Sequence, residues 1–279
     1  KLRSDPSVQG VSLNGALDIL ISIFADDIVV FLQYDEENLR NTLKIFDDFG
    51  KLSGLKIQVE KSQISYLGGE YDQTKKLCRD MDFVWSKNIN LLGLNFNTSL
   101  TNLYDNVKEK KTGFYLDLEN WDYKFLTPMG RISALKSYIL PKFNHVAMVI
   151  PILKSGDIKE IESKMFKFIW RDQDKGIISR EIAKAPLKEG GINAPDLEIM
   201  FKSYSLSWLR KLANFKTFDR GWYKILNTLL VETNLNIEIS DIWKLKSGQY
   251  SDLQTQIQSN FWKQIFGLLP ELLKSIIHT

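Results

Sequence analysis

The chain has 279 residues, of which 44% are hydrophobic and 25% are charged, as is typical of a globular protein with a real core. No apolar run approaches the roughly 18 residues of a membrane span, and we expect neither a transmembrane helix nor a secretory signal. The single cysteine, Cys78, excludes an internal disulfide and a cysteine-based zinc knuckle. Lys1 is not a natural start, so we expect the chain to be a fragment.

The charge is distributed unevenly along the chain. The net charge is +3, but residues 1–84 carry −4 and residues 85–171 carry +5. An acidic part followed by a basic part suits a protein that binds phosphates through its basic surface. Ordinary solvated helix faces explain the same counts.

The first predicted elements are strands. Residues 8–13 form an apolar run that ends at Asn14-Gly15, a strong hairpin signal. Two further runs, 19–24 and 28–32, are rich in Ile, Val and Phe and flank the pair Asp26-Asp27. These runs predict two strands buried on both faces.

A helix is predicted after this hairpin. Asp35 is its expected N-cap, apolar residues recur at helical spacing from Leu39 to Phe49, and Gly54 is placed to end it. Packed across the strands, this helix gives a mixed α+β fold. Residues 58–67 are predicted to be strand-like and residues 68–82 a loop. A second strand pair is expected, formed by the segments 83–85 and 90–96.

The pattern is helical from there to the C-terminus. Thr127 caps one predicted helix and Pro128 takes its first position. Asp157 and Glu160 form the expected capping box of another. We expect Trp121, Trp170 and Trp208 to pack in the core rather than stack on bases. The predicted helices span residues 104–121, 127–140, 157–170, 196–212, 218–231 and 260–277, with a turn at 172–176.

The acidic pair in the hairpin predicts a metal site. Adjacent carboxylates between buried strands are costly unless a positive charge compensates them. Mg²⁺ prefers oxygen ligands and needs only a few from the protein. The hairpin, the pair and the implied metal together indicate a polymerase palm. The alternative is a polar hairpin turn, where aspartate is common.

Five motifs, in order across residues 10 to 212, resemble those of reverse transcriptases from non-LTR (LINE-type) retrotransposons. The first, Phe24-Ala25-Asp26-Asp27, resembles their FADD/YADD box. The others are Ser53-Gly54-Leu55-Lys56-Ile57 with Lys61-Ser62, the primer-grip turn Leu92-Gly93-Leu94, the thumb segment Leu126-Thr127-Pro128-Met129-Gly130-Arg131 with Lys136 and Ile139-Leu140-Pro141-Lys142, and a block beyond the thumb, Phe168-Ile169-Trp170 with Glu189-Gly190-Gly191-Ile192 and Pro195-Asp196-Leu197.

The resemblance implies the end of a palm over residues 1–98, thumb helices over 99–153 and a helical region over 154–279. It implies RNA-directed DNA synthesis with two Mg²⁺ ions, an RNA template, a DNA primer and deoxynucleotides. Asp26 would ligate the metal directly, and Asp27 would be a second ligand or a charge just outside the ligands. The third carboxylate of this family and its fingers are not found upstream of Val8, which leaves catalysis by the isolated chain open. The expected setting is a nuclear or cytoplasmic ribonucleoprotein, with no membrane contact.

The resemblance also implies roles for other residues. Lys56 resembles a lysine that protonates the leaving pyrophosphate, although a solvated loop lysine is an equal alternative. Leu92 and Gly93 would press the primer end into place, or form an ordinary turn. The remaining residues expected to contact primer or template are Phe24, Ala25, Thr127, Gly130, Arg131 and Lys136.

Arg131 and Lys136 are five residues apart on one predicted helix and therefore point to different sides of it. We expect only one of them to face a duplex. Two rival interpretations stay open. The chain acts only as a nucleic-acid-binding piece, or it derives from a decayed element and has no activity.

Overall fold

The computed structural model describes residues 2–13, 17–67, 76–122, 125–150, 155–171, 176–214 and 221–270. Short strand pairs come first along the chain and helices follow, which confirms the predicted α+β class. The predicted turn at Asn14-Gly15 lies outside the described residues. So do residues 172–175 of the turn predicted at 172–176 and residues 68–75 of the predicted loop. In the part described, no helix combines the length and apolar character needed to cross a bilayer.

The chain divides into two compact units. The first comprises Lys1–Asn102 and Phe218–Thr228, and the second comprises Leu103–Thr217 and Leu229–Thr279. The predicted boundary between thumb and post-thumb, at 153/154, lies within residues that are not described, and the three predicted domains stay predictions.

The first unit contains four two-stranded sheets in its described residues. Three of them are antiparallel, β1–β2, β3–β4 and β7–β8, and the β5–β6 pair is parallel. The strands are β1 Val11–Leu13, β2 Leu17–Ile19, β3 Ile21–Phe24, β4 Asp27–Val30, β5 Gln63–Ile64, β6 Val84–Trp85, β7 Asn88–Leu91 and β8 Leu94–Asn97. The predicted pairing of segment 83–85 with segment 90–96 is therefore wrong. Segment 84–85 pairs instead with β5, and 90–96 lies within the β7–β8 hairpin.

Helix α1, Glu36–Ser53, has the predicted ends. The Asp35 side chain accepts a hydrogen bond from the Asn38 amide, and Gly54 ends the helix in the left-handed region at φ 77°. Its anchoring is largely polar, because the buried Asn38 side chain donates to the carbonyl oxygen of Gln9 and accepts from the Gln9 amide. Phe49, expected on a buried stripe, is exposed.

The first unit has a small apolar core. In the described part of residues 1–102, the buried apolar side chains are Val8, Cys78 and Leu94. The expectation that the β3 and β4 strands are buried on both faces is wrong, because Ile23 and Phe24 are 62% and 65% exposed. The physical reason is that β3 and β4 pair only with each other among the described strands.

The helices described between residues 103 and 212 lie in the second unit, around one core. Phe114, Leu135, Phe143, Ile161 and Met165 are among its fully buried side chains. The helices that follow α1 are α2 Leu103–Asp122, α3 Pro128–Ala134, α4 Pro141–Val149, α5 Ser155–Ile169, α6 Arg180–Lys184, α7 Leu197–Leu212, α8 Gly221–Val231, α9 Ser247–Gln256 and α10 Asn260–Phe266.

The helix predicted over residues 127–140 has two parts. Thr127 caps α3 by accepting a hydrogen bond from the Gly130 amide at 3.2 Å, and Pro128 opens the helix, as predicted. A π-helical segment, Leu135–Ile139, then leads directly into α4. Pro141 has no N–H and cannot donate to the α-helical hydrogen-bond ladder, and the π segment ends at Ile139, two residues before it.

A polar cluster joins α2 to α5. The Lys111 ammonium lies 2.9 Å from Asp157 and 2.6 Å from Glu160, while the Tyr104 and Tyr115 hydroxyls donate to Asp157 and Glu160 respectively. The predicted capping box is therefore wrong. Helix α5 begins two residues before Asp157, and both carboxylates contact side chains of α2.

This cluster predicts a pH dependence of stability. Burial and the hydrogen bond to Glu160 raise the pKa of Tyr115 from 10.0 to about 12. The folded protein holds the Tyr115 proton more tightly than the unfolded chain does. The contribution of this hydroxyl to the free energy of unfolding is therefore complete below pH 10 and declines between pH 10 and pH 12. We expect Tyr115→Phe to lower the free energy of unfolding at pH 8, with the difference from wild type narrowing toward pH 12. Urea unfolding at several pH values measures this, and a constant difference would contradict it.

Candidate active site

The acidic pair lies at the tip of a tight hairpin. Phe24 pairs with Asp27, so only Ala25 and Asp26 form the turn between β3 and β4. Ala25 adopts the left-handed region at φ 53°, which is uncommon for a residue with a Cβ. The turn holds Asp26 and Asp27 next to each other on a short two-stranded platform, and both are exposed.

The two carboxylates have no counter-charge from the described part of the chain. Neither the Asp26 nor the Asp27 side chain forms a hydrogen bond or ion pair with a described residue. Two oxygen donors fit Mg²⁺, which keeps several waters and takes one or two carboxylates from protein. Among the described residues, no group of three His, Cys, Asp or Glu side chains is arranged to hold a metal ion. The residues present therefore supply a partial ligand set.

The other predicted residues of the first unit lie on separate elements. Lys56 is exposed, two residues beyond Gly54 at the end of α1. Leu92 and Gly93 form the turn between β7 and β8 with φ 50° and 75°, so the predicted turn is present. No hydrogen bond or ion pair within the described residues joins these groups to the acidic pair.

Two predicted binding residues of the second unit belong to the N-terminus of α3. The Thr127 hydroxyl oxygen is engaged by the Gly130 amide of its own helix. A Cβ added at Gly130 would meet the Leu126 side chain at 3.4 Å, so this glycine already packs closely on its neighbour. Both positions stay predictions as contacts to nucleic acid.

Arg131 does not lie where the sequence analysis placed it. Its side chain is 1% exposed, forms an ion pair with Asp122, and donates to the Phe168 carbonyl oxygen at 2.8 Å. Its guanidinium also lies over the Phe168 ring, 4.8 Å from the centroid. A buried, fully engaged guanidinium cannot reach a phosphate, so we correct the assignment of Arg131 to the nucleic-acid surface. Lys136 is exposed, and of the two cations it alone is accessible.

The three tryptophans that were expected in the core contact other apolar or aromatic side chains. Trp170 is buried, as predicted, and Trp121 packs against the core while stacking on Tyr138 at 5.4 Å between centroids. Trp208 is half-buried and contacts Phe261 and Trp262 edge-on. These placements agree with a packing role.

The Glu189-Gly190-Gly191 motif has a structural explanation that the sequence analysis did not find. Gly190 ends a 3₁₀ turn at φ 82°. Gly191 lies so close to α6 that an added Cβ would be 2.0 Å from the Ala185 carbonyl oxygen and 2.5 Å from that of Ile182. The amides of Asn193 and Ala194 then donate to the carbonyl oxygens of Ala185 and Ala183. In the sequence, the only indication of this close backbone approach was the pair of adjacent glycines.

One comparison with known proteins bears on the hairpin. Residues 6–96 match the model of the family described as reverse transcriptase (RNA-dependent DNA polymerase). The matched segment contains both the acidic pair and the Leu92-Gly93 turn, and it ends before α2. In this part the chain is similar to reverse transcriptases, and the match indicates RNA-directed DNA polymerase chemistry in general.

Proposed function

We propose that the chain is part of the RNA-directed DNA polymerase of a LINE-type retrotransposon. The observation that carries the proposal is the exposed pair Asp26-Asp27 at the tip of a two-residue turn, inside the segment that matches the reverse-transcriptase family. The motifs beyond that segment, from Leu126 to Leu197, support the LINE type by resemblance.

In this proposal the residues of the first unit serve the reacting end of the primer. Asp26 and Asp27 hold Mg²⁺, which when bound neutralises charge on the attacking and leaving oxygens of nucleotidyl transfer. The short hairpin fixes where the carboxylates point. Lys56 donates a proton or hydrogen bond to the departing pyrophosphate. A complete site also needs a further carboxylate that the described residues do not supply.

The remaining residues position the nucleic acid. We assign Phe24, Ala25, Leu92 and Gly93 to the primer end and its paired template. Backbone and apolar contacts from these residues are enough to position the primer end. Thr127, Gly130 and Lys136 are assigned to phosphates of the RNA–DNA hybrid. Such contacts set register and carry no sequence information. The proposed setting is a nuclear or cytoplasmic ribonucleoprotein of the element.

A second candidate function is nucleic-acid binding without catalysis by this chain. The excess of five positive charges in residues 85–171 favours it, as does a hairpin that supplies two carboxylates rather than a complete set. Both candidates require an RNA–DNA hybrid to bind.

Binding and extension measured side by side test the proposal. We expect the purified chain to bind a labelled RNA–DNA hybrid, with affinity falling steeply as salt rises. Lys136→Ala should weaken binding and lower the slope of log K against log salt by about 0.9 for one lost phosphate contact. Lys188→Ala, which removes an exposed lysine of the same unit, is the matched control.

The outcomes separate the candidates. Primer extension in the presence of Mg²⁺ supports catalysis by this chain, and binding without extension supports the second candidate. A chain that binds no hybrid, or binds it equally well without Lys136, contradicts the assigned surface.

A further inference from the structure

The first unit contains a cavity that the proposed function does not use. Its volume is about 500 Å³, within the range of about 300–1,000 Å³ of small-molecule sites. Among the described residues, those that line it are Lys76, Arg79, Met81, Asp82, Phe83 and Trp85. None of them lies on the hairpin that carries Asp26-Asp27 or on the turn that carries Leu92 and Gly93.

The wall of this cavity is anchored to α1. Both terminal nitrogens of Arg40 contact the Asp80 carboxylate, at 2.6 and 3.0 Å, and one of them also bonds Glu36. Cys78 is 1% exposed and left-handed at φ 48°. The Met81 amide donates to the Cys78 carbonyl oxygen at 2.9 Å, which closes the turn. The segment from Cys78 to Met81 is therefore fixed rather than a free surface loop.

The opposite end of the lining is held by the sheet. Trp85 belongs to β6, whose partner is the parallel strand β5. The Ser86 amide extends that pairing by donating to the Ile64 carbonyl oxygen at 3.0 Å, and the Ser65 hydroxyl donates to the Ser86 carbonyl oxygen at 2.8 Å. The indole is half-buried, so part of its surface remains accessible.

The lining combines cationic and aromatic groups. Lys76 and Arg79 supply two positive charges, and Phe83 and Trp85 supply two rings. The Lys76 ammonium has no ion pair within the described part of the chain. Asp82 contributes one negative charge, which disfavours a densely charged ligand such as a free triphosphate. An aromatic ring beside one or two phosphate-binding cations is the arrangement that receives a base and its adjoining phosphate.

We propose that this cavity binds one nucleotide of an unpaired nucleic-acid strand. The base stacks on Trp85, and the adjoining phosphate is bound by Lys76 and Arg79. Asp82 accepts a hydrogen bond from a base amino group or a sugar hydroxyl. The inference rests on the proposed function, because a copied template is unpaired before it enters the hybrid. A duplex does not satisfy this site, since its bases are already stacked on one another.

Fluorescence anisotropy with a labelled single-stranded RNA of about twelve nucleotides tests the proposal on the whole chain. We expect Trp85→Ala to weaken binding about tenfold, because stacking on one aromatic ring is lost. Trp85→Phe keeps a ring and should recover most of that affinity. Lys76→Ala should lower the slope of log K against log salt by about 0.7. Lys44→Ala removes an exposed lysine of α1 that is not among the lining residues and should bind like wild type.

Photocrosslinking of the unaltered chain provides a readout that does not depend on how the variants fold. Single-stranded RNA carrying 4-thiouridine should crosslink within residues 76–85, as located by peptide mass spectrometry. Crosslinks confined to other segments would overturn the proposal. So would a Trp85→Ala variant that folds normally and binds as tightly as the Lys44→Ala control.

These outcomes are distinct from failure of the polymerase proposal. If the cavity binds single-stranded RNA but no primer is extended, only the proposal of catalysis by this chain is contradicted. If the polymerase extends a primer, and the Trp85 and Lys76 variants bind single-stranded RNA as tightly as wild type, only the cavity proposal is contradicted. A single-stranded DNA of the same sequence shows which sugar is preferred, and preferential binding of a fully paired duplex counts against the site.

Discussion

Asp26→Ala is expected to abolish primer extension by the proposed polymerase, while its affinity for an RNA–DNA hybrid stays near that of wild type. The carboxylate at the hairpin tip is proposed to hold Mg²⁺, and loss of that ligand removes charge neutralisation from both the attacking and the leaving oxygen. We expect the rate to fall by about a thousandfold or more. Steady-state extension and hybrid binding on the same preparation measure the two effects separately.

Two further variants separate the effect of the lost charge at residue 26 from the effect of side-chain size and of removing any acidic residue. Asp26→Asn keeps the size of the side chain and removes its charge, so it should be nearly as inactive as the alanine variant. Glu60→Gln is the matched control, because Glu60 is an exposed carboxylate of the same unit with no ion pair among the described residues. Near-normal extension by Asp26→Ala would show that this residue is not a metal ligand.

Gly191→Ala is expected to destabilise the second unit by about 3 kcal/mol or more. The added methyl group would lie 2.0 Å from the carbonyl oxygen of Ala185 and 2.5 Å from that of Ile182. Both neighbours are backbone atoms, so no side-chain rotation relieves the overlap. The close approach is fixed by the hydrogen bonds from Asn193 and Ala194 back to Ala185 and Ala183. Urea unfolding followed by far-UV circular dichroism measures the loss.

Gly190→Ala is a matched control one residue away. A Cβ at this position meets no atom within 4 Å, and the expected cost arises only from the left-handed backbone at φ 82°. That cost is about 1–2 kcal/mol. Equal destabilisation by the two substitutions would contradict the argument that space, rather than backbone conformation, determines the residue at 191.

The local features of the fold could be predicted from the sequence. Asp35 and Thr127 cap their helices, and Gly54 ends α1, as the sequence predicted. These features could be predicted because a cap depends only on residues three or four positions away. The hairpin around Asp26-Asp27 was predicted for the same reason, whereas the turn at Leu92-Gly93 was expected from the resemblance to reverse transcriptases. These positions include the proposed metal ligands, so the central part of the candidate site was predicted.

The features that were missed depend on residues far apart in the sequence. Asp157 was expected to cap its own helix, but its partner Lys111 lies 46 residues earlier on α2. Segment 84–85 pairs with β5, about twenty residues before it, and that pairing is parallel. Burial of Arg131 depends on Phe168 of α5. Helical and strand periodicities report a face of an element and do not identify what packs against that face.

The burial of Arg131 has a consequence for chemical modification. Reagents that derivatise guanidinium groups in water will react first with exposed arginines such as Arg79 and Arg180. Labelling at residue 131 would therefore follow unfolding, and it would report loss of tertiary structure. Inactivation by such a reagent would be no evidence that this arginine touches a polynucleotide.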